Sequence, residues 1–502
     1  MNTTRVRSRF LFGSFVSLAV AAVLLAGPAW SEAKSVILLI GDGMGPQAVR
    51  ALSIKLHGAD GMTAMQGMPV KGSLSTKPAD GDVTDSAAAA TAMATGRKTR
   101  NGMVAVGPDG TVLRTILEAC RDAGKMTGLV ATSSVTHATP ACFGSHVENR
   151  GAEYDIAGQL VASRVNVILG GGKSFFLEPR GDAWIGIEVR DAKGEKLAGY
   201  AERMRGTADE PVERRFMTPP GAASAYLWIW RGSSLDAFFD DFKIDPKEGE
   251  SATQLVNADF EKGDATGWNV WSGCSVVRDG GSMALRVSGG GGCDQSVAVD
   301  PGREYEFSYR GRIANPYAGQ TAKKLPWDEA VAAGYRRIEK REEVAGAAGP
   351  YVLGLFAPAG LERKPGEPTL PEMADKAIDL LGASPKGFFL MTEGSQIDWA
   401  VRDEAYWFRE LAAFDDAVRN ALEYAKTRGD VLVVATADHE TGGVKIEGSD
   451  AASLKVSFTA KGHTPADVPL FAFGPGSKAF AGRHPNTDIA KLIAKALGLR
   501  LP

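Results

Sequence analysis

The chain has 502 residues, of which 44% are hydrophobic and 23% are charged. This length exceeds what one small core needs, and the composition is ordinary for a globular protein, so we expect two domains or one large domain with an insertion. The formal charge of -3 is spread without long blocks of one sign, which excludes nucleic acid as a partner class.

Residues 1–33 have the layout of a secretory signal peptide. Three arginines precede the apolar run "FLFGSFVSLAVAAVLLAGPA", and small residues follow at Ala29, Ser31 and Ala33. We expect cleavage near Ser31 and a periplasmic or secreted mature protein with no stable membrane span. The alternative is a retained membrane anchor.

Export would make the four cysteines available for disulfides. Cys274 and Cys293 lie close together in a Gly-rich segment, where a bridge closes a short loop, and we predict that they are bonded. Cys120 lies in a helical pattern and Cys142 follows "ATPA". Each could be a small buried apolar residue, so their pairing stays open.

From Ser35 to about Phe176, short apolar runs alternate with helical patterns, as in "TILEACRDAG" followed by "MTGLVATSS". The alternation returns after about Leu325, in "KGFFLMTEG" and "VLVVATADHETGG". It is typical of an α/β fold with a central, mostly parallel sheet flanked by helices. We assign residues 34–180 and 313–502 to one discontinuous α/β domain.

The sequence pattern changes in residues 181–312, where segments that alternate apolar and polar residues, such as "AYLWIWRG", are separated by Gly, Pro and Asp turns. "NADFEKGDATGWNVW" to "PGREYEFSYRGRI" resembles the first half of a jelly-roll carbohydrate-binding module, and "WIGIEVRDAKGEKL" to "SSLDAFFDDFKI" resembles the second half. Since the second half comes first, we predict an inserted, circularly permuted jelly-roll sandwich. The alternative is two unrelated β-hairpin layers.

Tryptophans concentrate in this insertion, at Trp228, Trp230, Trp268 and Trp271. On the surface they could bind glycan, whereas inside they would be sandwich core. A glycan partner of the insertion is therefore a hypothesis that depends on where these rings lie.

A buried strand runs into a glycine-rich turn and a helix in "SVILLIGDGMGPQAV", the setting in which α/β sheets bind ligands. Asp42 in the turn would repel a phosphate unless a cation lay between them, and the full dinucleotide fingerprint is absent. Asp42 is thus a candidate metal ligand.

Ser86 heads the alanine-rich helix of "VTDSAAAATAMATGRKTRNG", where free backbone N–H groups and the helix dipole favour an oxyanion. It is a candidate nucleophile, although a plain N-cap serine fits the local residues equally well.

Four later stretches place acids and histidines near predicted strand ends, which is what a site for several metal ions needs. Their residues are His137, Thr139 and Arg150; Glu393 and Asp398; Asp438 and His439; and His463. By contrast, His57, His146 and His484 have no acidic neighbour in a comparable setting, so we interpret them as structural or surface residues.

These stretches, in this order, resemble alkaline phosphatases. The resemblance covers about Ser35 to Phe176 and Leu325 to the C-terminus, and it depends on "GDGMG", "TDSAAAATAMATG", "TEGSQIDWA" and "TADHETGG". It implies two Zn²⁺ ions and one Mg²⁺ ion. The implied ligands are Asp398 and His463 for the first zinc; Asp42, Asp438, His439 and Ser86 for the second; and Asp42, Thr139 and Glu393 for magnesium.

The resemblance also implies hydrolysis of phosphate monoesters through a phosphoserine at Ser86, with Arg150 holding the phosphate in a bidentate fork. His137 would adjust the magnesium site without binding the ion. A homodimer is a further expectation.

The sequence departs from the family at Arg402, because family members usually have a zinc-binding histidine four residues after the aspartate. A guanidinium has only donors and stays protonated, so it cannot replace an imidazole. Asp403 or a water could fill the gap, or Arg402 could contact phosphate or an anionic leaving group, which makes it a candidate substrate-binding residue.

Two rival functions stay open from the sequence. A phosphodiesterase could use the same nucleophile and metals, whereas a sulfatase lacks support because "TDSAAAA" has no cysteine-proline signature. The other rival is a phosphatase-like protein with impaired turnover that binds glycan through its insertion.

Overall fold

A computed structural model describes residues 32–177, 183–204, 210–231, 236–248, 255–279, 281–314 and 325–501. The predicted signal peptide lies outside these ranges, apart from its last two residues. Within them, no helix is both long and apolar enough to cross a membrane.

The segment before the insertion alternates strands and helices. In chain order they are β1 (Ser35–Gly41), α1 (Pro46–His57), β2 (Val70–Ser75), α2 (Ser86–Thr95), α3 (Ile116–Asp122), β3 (Met126–Ser134), α4 (Ala138–Gly144), α5 (Glu153–Ala162), β4 (Val167–Gly171) and α6 (Lys173–Phe176).

The insertion contains strands only among its described residues. They are β5 (Ala183–Asp191), β6 (Lys196–Met204), β7 (Glu210–Met217), β8 (Ala222–Arg231), β9 (Ala237–Pro246), β10 (Asn269–Asp279), β11 (Ser282–Ala298) and β12 (Glu304–Ile313).

Alternation of strands and helices resumes after the insertion. The elements are α7 (Pro326–Ala332), β13 (Arg336–Ile338), α8 (Arg341–Ala345), β14 (Val352–Leu355), α9 (Leu370–Gly382), β15 (Phe388–Gly394), α10 (Gln396–Trp399), α11 (Glu404–Arg428), β16 (Val431–Thr436), β17 (Glu440–Thr441), β18 (Val444–Glu447), β19 (Lys455–Phe458), β20 (His463–Thr464), β21 (Val468–Phe473), a 3₁₀ helix (Ser477–Phe480), β22 (Gly482–Pro485) and α12 (Asp488–Ala496).

The two α/β segments build one central sheet with the strand order β13-β14-β4-β3-β15-β1-β16-β21-β2-β22. Strands β13 through β16 in this order run parallel, and β21 is antiparallel to both of its neighbours. All seven residues of β1 are buried. Burying each large aliphatic side chain stabilises the fold by about 1.5–3 kcal/mol, which places this apolar strand at the sheet centre. The predicted α/β class, a mixed sheet flanked by helices, is confirmed.

The insertion forms a separate antiparallel sheet with the order β6-β5-β8-β11-β9-β12-β7, and β10 also pairs with β11. The 17-residue strand β11 pairs with β8 through its C-terminal half and with β9 through its N-terminal half. The insertion has a hydrophobic core of its own, and Phe242, Phe307 and Leu227 are among the buried residues of that core.

The predicted contact between "FFDDFKI" and "LVNADFE" is present, because Phe242 N–H donates to the Ala258 carbonyl at 3.1 Å. The permuted jelly-roll topology and the division of the chain at residues 181 and 312 stay predictions.

The predicted disulfide between Cys274 and Cys293 is wrong. All four cysteines are free thiols, and Cys274 and Cys293 instead share a side-chain hydrogen bond. Both lie in the paired strands β10 and β11, where Cys293 is opposite Val270 and Cys274 is opposite Val287. Cys120 and Cys142 are buried apart from that pair, as small apolar residues would be.

Candidate active site

Three adjacent strands of the central sheet end in acidic residues. Glu393 lies at the end of β15, Asp42 follows β1, and Asp438 follows β16. Because the carboxyl ends of parallel strands meet at one edge of the sheet, the three carboxylates converge there. All three are fully buried.

The glycine-rich turn after β1 brings these acids together. Gly43 adopts φ +70°, and its N–H donates to Asp438 Oδ1 at 3.1 Å. A Cβ on Gly43 would lie 3.0 Å from Asp398 Oδ1, so a larger residue would be strained in both conformation and space.

Ser86 is the first residue of α2 and is not its N-cap. Asp85 caps the helix by accepting from Ala88 N–H, which overturns the plain N-cap interpretation of Ser86. The buried Ser86 Oγ lies 3.2 Å from His439 Nε2. A hydroxyl therefore stands at a helix N-terminus beside an imidazole and the acidic cluster.

Arg150 is held at two points. Its guanidinium donates to Asp85 Oδ2 at 2.9 Å and to His137 Nε2 at 3.0 Å. Since a guanidinium has five N–H donors, others stay available for an anion. The sequence analysis missed Asp85, which both caps α2 and fixes Arg150.

Three groups of side chains place possible ligand atoms within 4.8 Å of one another. They are Asp398 with His439 and His463; Asp42 with Asp438 and His439; and Asp42 with His137 and Glu393. These groups bring together all seven of the acids and histidines that the sequence analysis named as metal ligands or as helpers of the metal site. His137 also offers a ring nitrogen to the third group, and its expected role of adjusting the magnesium site without binding the ion stays a prediction.

Several polar atoms of these groups are buried without a hydrogen-bond partner in the described part of the chain. They are Asp42 Oδ1, Asp438 Oδ2, Glu393 Oε1, Thr139 Oγ1 and His137 Nδ1. Since an unpaired buried polar atom is costly, and every one of these atoms can bind a cation, the donor set fits metal ions in the second and third groups.

The electrostatics of the cluster support the same fit. Burial, with the nearby Asp438, raises the pKa of Asp42 well above its ordinary value, and burial raises the pKa of Glu393 to about 7. Burial lowers the pKa of His439 and of His137 to about 3, so both imidazoles are neutral. A neutral imidazole can bind a metal ion directly. A carboxyl group with a raised pKa ionises when a divalent metal ion displaces its proton.

The first group has only two members that it does not share with another group, Asp398 and His463. His463 Nε2 lies 3.8 Å from Asp398 Oδ1, and His463 Nδ1 donates to the Thr84 carbonyl at 2.8 Å. The His463 ring stacks on His439, with ring centroids 3.5 Å apart. His439 belongs to both the first and the second group.

Arg402 adds no ligand to that site. It is exposed at φ +83°, and its guanidinium donates to the Ala460 carbonyl at 3.4 Å. Asp403 caps α11 by accepting from Tyr406 N–H at 3.0 Å, which makes it a poor substitute ligand. A role for Arg402 in substrate binding stays a prediction.

Two histidines set aside in the sequence analysis do have acidic neighbours. His146 Nε2 lies 3.1 Å from Glu118, and His484 Nδ1 lies 3.3 Å from Asp488. The partner of His146 is 28 residues away in sequence, so no local signal could show it. Both pairs lie outside the three ligand groups, in keeping with structural roles.

A sheet whose strand ends carry carboxylates, a helix-borne serine and a fixed arginine define a hydrolase-like centre for anionic substrates. The sequence profile of the alkaline phosphatase family matches residues 33–200 and 296–461, more than half of the chain. The chain belongs to this family, and its phosphatase relatives support the same class of activity for it.

Individual relatives agree over nearly their whole length. The chain is 28% identical to alkaline phosphatase 3 of Bacillus subtilis, over 93% of this chain and 89% of that protein. It is 29% identical to the streptomycin-6-phosphate phosphatase of Streptomyces griseus, over 95% and 92%. Among solved structures, alkaline phosphatase from the Antarctic bacterium TAB5 matches with a TM-score of 0.59 at 25% identity, over 93% and 99%.

Proposed function

We propose that this protein hydrolyses phosphate monoesters through a phosphoserine at Ser86. The observation that carries the proposal is the Ser86 hydroxyl, which lies at the N-terminus of α2 and 3.2 Å from His439 within a buried cluster of metal-type donors.

In the first step Ser86 Oγ loses its proton and attacks phosphorus, the bond from phosphorus to the leaving oxygen breaks, and that oxygen takes up a proton to leave as the alcohol. A water then attacks the phosphoserine, which releases inorganic phosphate and regenerates the hydroxyl. Arg150, already aligned by Asp85 and His137, donates its remaining N–H groups to the nonbridging oxygens. The free N–H groups of α2 add positive potential at the same place.

We propose that zinc and magnesium bind to the ligand groups. Asp42, Asp438 and His439 would hold one zinc, with Ser86 beside it. Asp42, Thr139 and Glu393 would hold magnesium, and because His137 adds an imidazole, zinc would compete there. When bound, such ions supply charge stabilisation for in-line phosphoryl transfer.

The first zinc would be bound more weakly than the second. Asp398 and His463 are its only expected ligands that are not shared, since Arg402 cannot coordinate and Asp403 is occupied as a helix cap. We expect slow dephosphorylation of Ser86 as the consequence, with a burst of product before the steady state.

Rapid-quench kinetics on matched phosphate mono- and diesters test the function. We expect faster turnover of the monoester, a burst equal to one product per chain, and label on Ser86. A preference for the diester would favour the phosphodiesterase rival. Metal-loaded protein without turnover of either ester would favour the impaired binding protein. The relatives favour neither rival.

A glycan is the second ligand that we propose, and its site is the outer face of the insertion. Trp230 and Trp271 are 42% and 47% exposed, whereas Trp268 is core. The Trp271 indole N–H donates to Asp294, and its ring covers Gly292. Rigid exposed rings beside a carboxylate suit stacking on sugar rings.

Affinity electrophoresis in gels containing soluble polysaccharides tests this ligand. Trp230→Ala and Trp271→Ala should remove any retardation, while Val270→Ala, at a neighbouring exposed position, should not. Equal migration of the unmodified protein in every gel would refute it. We also propose a periplasmic or secreted location and a homodimer, which fractionation and light scattering would check.

A further inference from the structure

Glu393 is held through one of its two carboxylate oxygens. Glu393 Oε2 accepts from Ser395 Oγ at 2.6 Å and from Ser133 Oγ at 3.3 Å. Glu393 Oε1 has no hydrogen-bond partner among the described residues, and the Glu393 carboxylate has an oxygen within 4.8 Å of ligand atoms of Asp42 and His137. The two oxygens therefore have different tasks.

Ser395 connects two neighbouring strands at this point. Its Oγ accepts from Ser133 N–H at 3.0 Å, at the end of β3, and donates to Glu393 at the end of β15. The Ser395 hydroxyl has one proton and two possible acceptors, Glu393 Oε2 at 2.6 Å and Ser133 Oγ at 2.9 Å. Because the contact to the carboxylate is shorter, the hydroxyl donates its proton to Glu393. A backbone amide of β3 thereby fixes the orientation of the acid on β15.

The backbone around Ser395 is anchored independently of its hydroxyl. Ser395 N–H donates to Thr132 Oγ1 at 3.0 Å, and Gln396 Nε2 donates to the Thr132 carbonyl at 2.8 Å. Tyr406 also donates to Gln396 Oε1 at 2.7 Å. Loss of the Ser395 hydroxyl should therefore release the carboxylate without displacing the chain.

We infer that Ser395 is a positioning residue for the magnesium proposed at the third ligand group, because it holds Glu393 Oε2 and leaves Oε1 free for the cation. This inference rests on the proposed metal-dependent function. Groups that orient a metal ligand change metal affinity by about 10–100-fold when removed, and Ser395 has the geometry of such a group.

The test is binding of Mg²⁺ to metal-free protein by equilibrium dialysis, with magnesium counted per chain. Ser395→Ala should weaken binding about 10–100-fold and should reach full occupancy at raised Mg²⁺. Ser133→Ala is the comparison variant, because it removes only the longer, 3.3 Å contact to Glu393 Oε2, from a hydroxyl that lies closer to the Ser134 carbonyl at 3.1 Å. It keeps the Ser133 N–H that donates to Ser395 Oγ. It should bind within about threefold of the unmodified protein. Ser395→Cys, with a weak donor of similar shape, should fall between them and serves if Ser395→Ala does not fold.

The Glu393→Gln variant distinguishes failure of the proposed metal site from failure of the role inferred for Ser395. If this variant binds Mg²⁺ as the unmodified protein does, the proposed metal site itself is wrong. If it loses one Mg²⁺ per chain while Ser395→Ala and Ser395→Cys bind normally, the metal site stands and only the role of Ser395 is wrong. Equal losses in Ser133→Ala and Ser395→Ala would also contradict a specific role for Ser395.

Discussion

The α/β part contains a buried cluster of acids that has no counterpart among the acid–arginine pairs in the described residues of the inserted sheet. In the insertion, acids pair with arginines at the surface, as in Arg214 with Glu202 at 2.7 Å and Arg286 with Asp236 at 2.6 Å. In the α/β part, Asp42, Glu393 and Asp438 are fully buried beside one another.

This difference separates stability from function. Exposed ion pairs contribute only about 0–1 kcal/mol to the free energy of unfolding, and those of the insertion give no indication of a binding or catalytic role. An unpaired buried charge costs several kcal/mol unless something compensates it, and the proposed cations would provide that compensation for the cluster of the α/β part. Changes to the α/β cluster should therefore affect catalysis, and changes to the insertion should not.

The largest effect is expected for Ser86→Ala, which removes the proposed nucleophile. Turnover should fall about 10⁴-fold or more, and no phosphoenzyme should form. Steady-state kinetics and acid-quenched labelling measure both. Ser275→Ala, at an exposed serine of the insertion, is the control and should leave both unchanged. Phosphate label on another residue of Ser86→Ala would move the nucleophile elsewhere.

Metal removal should act on one region only. A chelator should abolish activity and leave the buried carboxylates uncompensated, which destabilises the α/β part by about 3–5 kcal/mol. Hydrogen exchange should then show lost protection in β1, β15 and β16 but not in β8 or β12. Zinc with magnesium should restore both activity and protection. Equal loss of protection in the insertion would mean that the two regions unfold as one unit.

Arg402→His should repair the first zinc site, because it supplies the imidazole that the family usually has there. Affinity for the first zinc should rise roughly tenfold or more, and the burst of product should disappear. Arg402→Gln, which removes the charge without adding a comparable ligand, is the control. If the unmodified protein already binds its full zinc complement tightly and shows no burst, Arg402 does not compromise the site.

The smallest effect is expected from removal of the insertion by joining about Pro179 to Asn315. The ends of the inserted sheet are near each other, since Ala183 pairs with Met204 and the Met204 sulfur lies against Gly311. No proposed metal-binding or catalytic residue lies in the insertion, so kcat/KM should change by less than about threefold. A folded but inactive deletion protein would show that the insertion shapes the active site.

The sequence by itself determined most of the α/β fold and the residue types of the site. The apolar runs before Asp42, Glu393 and Asp438 predict buried parallel strands, and the carboxyl ends of such strands meet at one edge. The alternating pattern of the insertion likewise predicts its antiparallel strands, because side chains of a strand alternate between core and solvent.

Only the tertiary structure decided how these residues are held and which rings are exposed. Ser133 and Ser395 are 262 positions apart, and Arg150 lies 65 positions from Asp85. Likewise, Trp268 is core and Trp271 is exposed although three positions separate them. Local patterns report the conformation of one segment, whereas hydrogen bonds and burial depend on which distant segments the fold brings together.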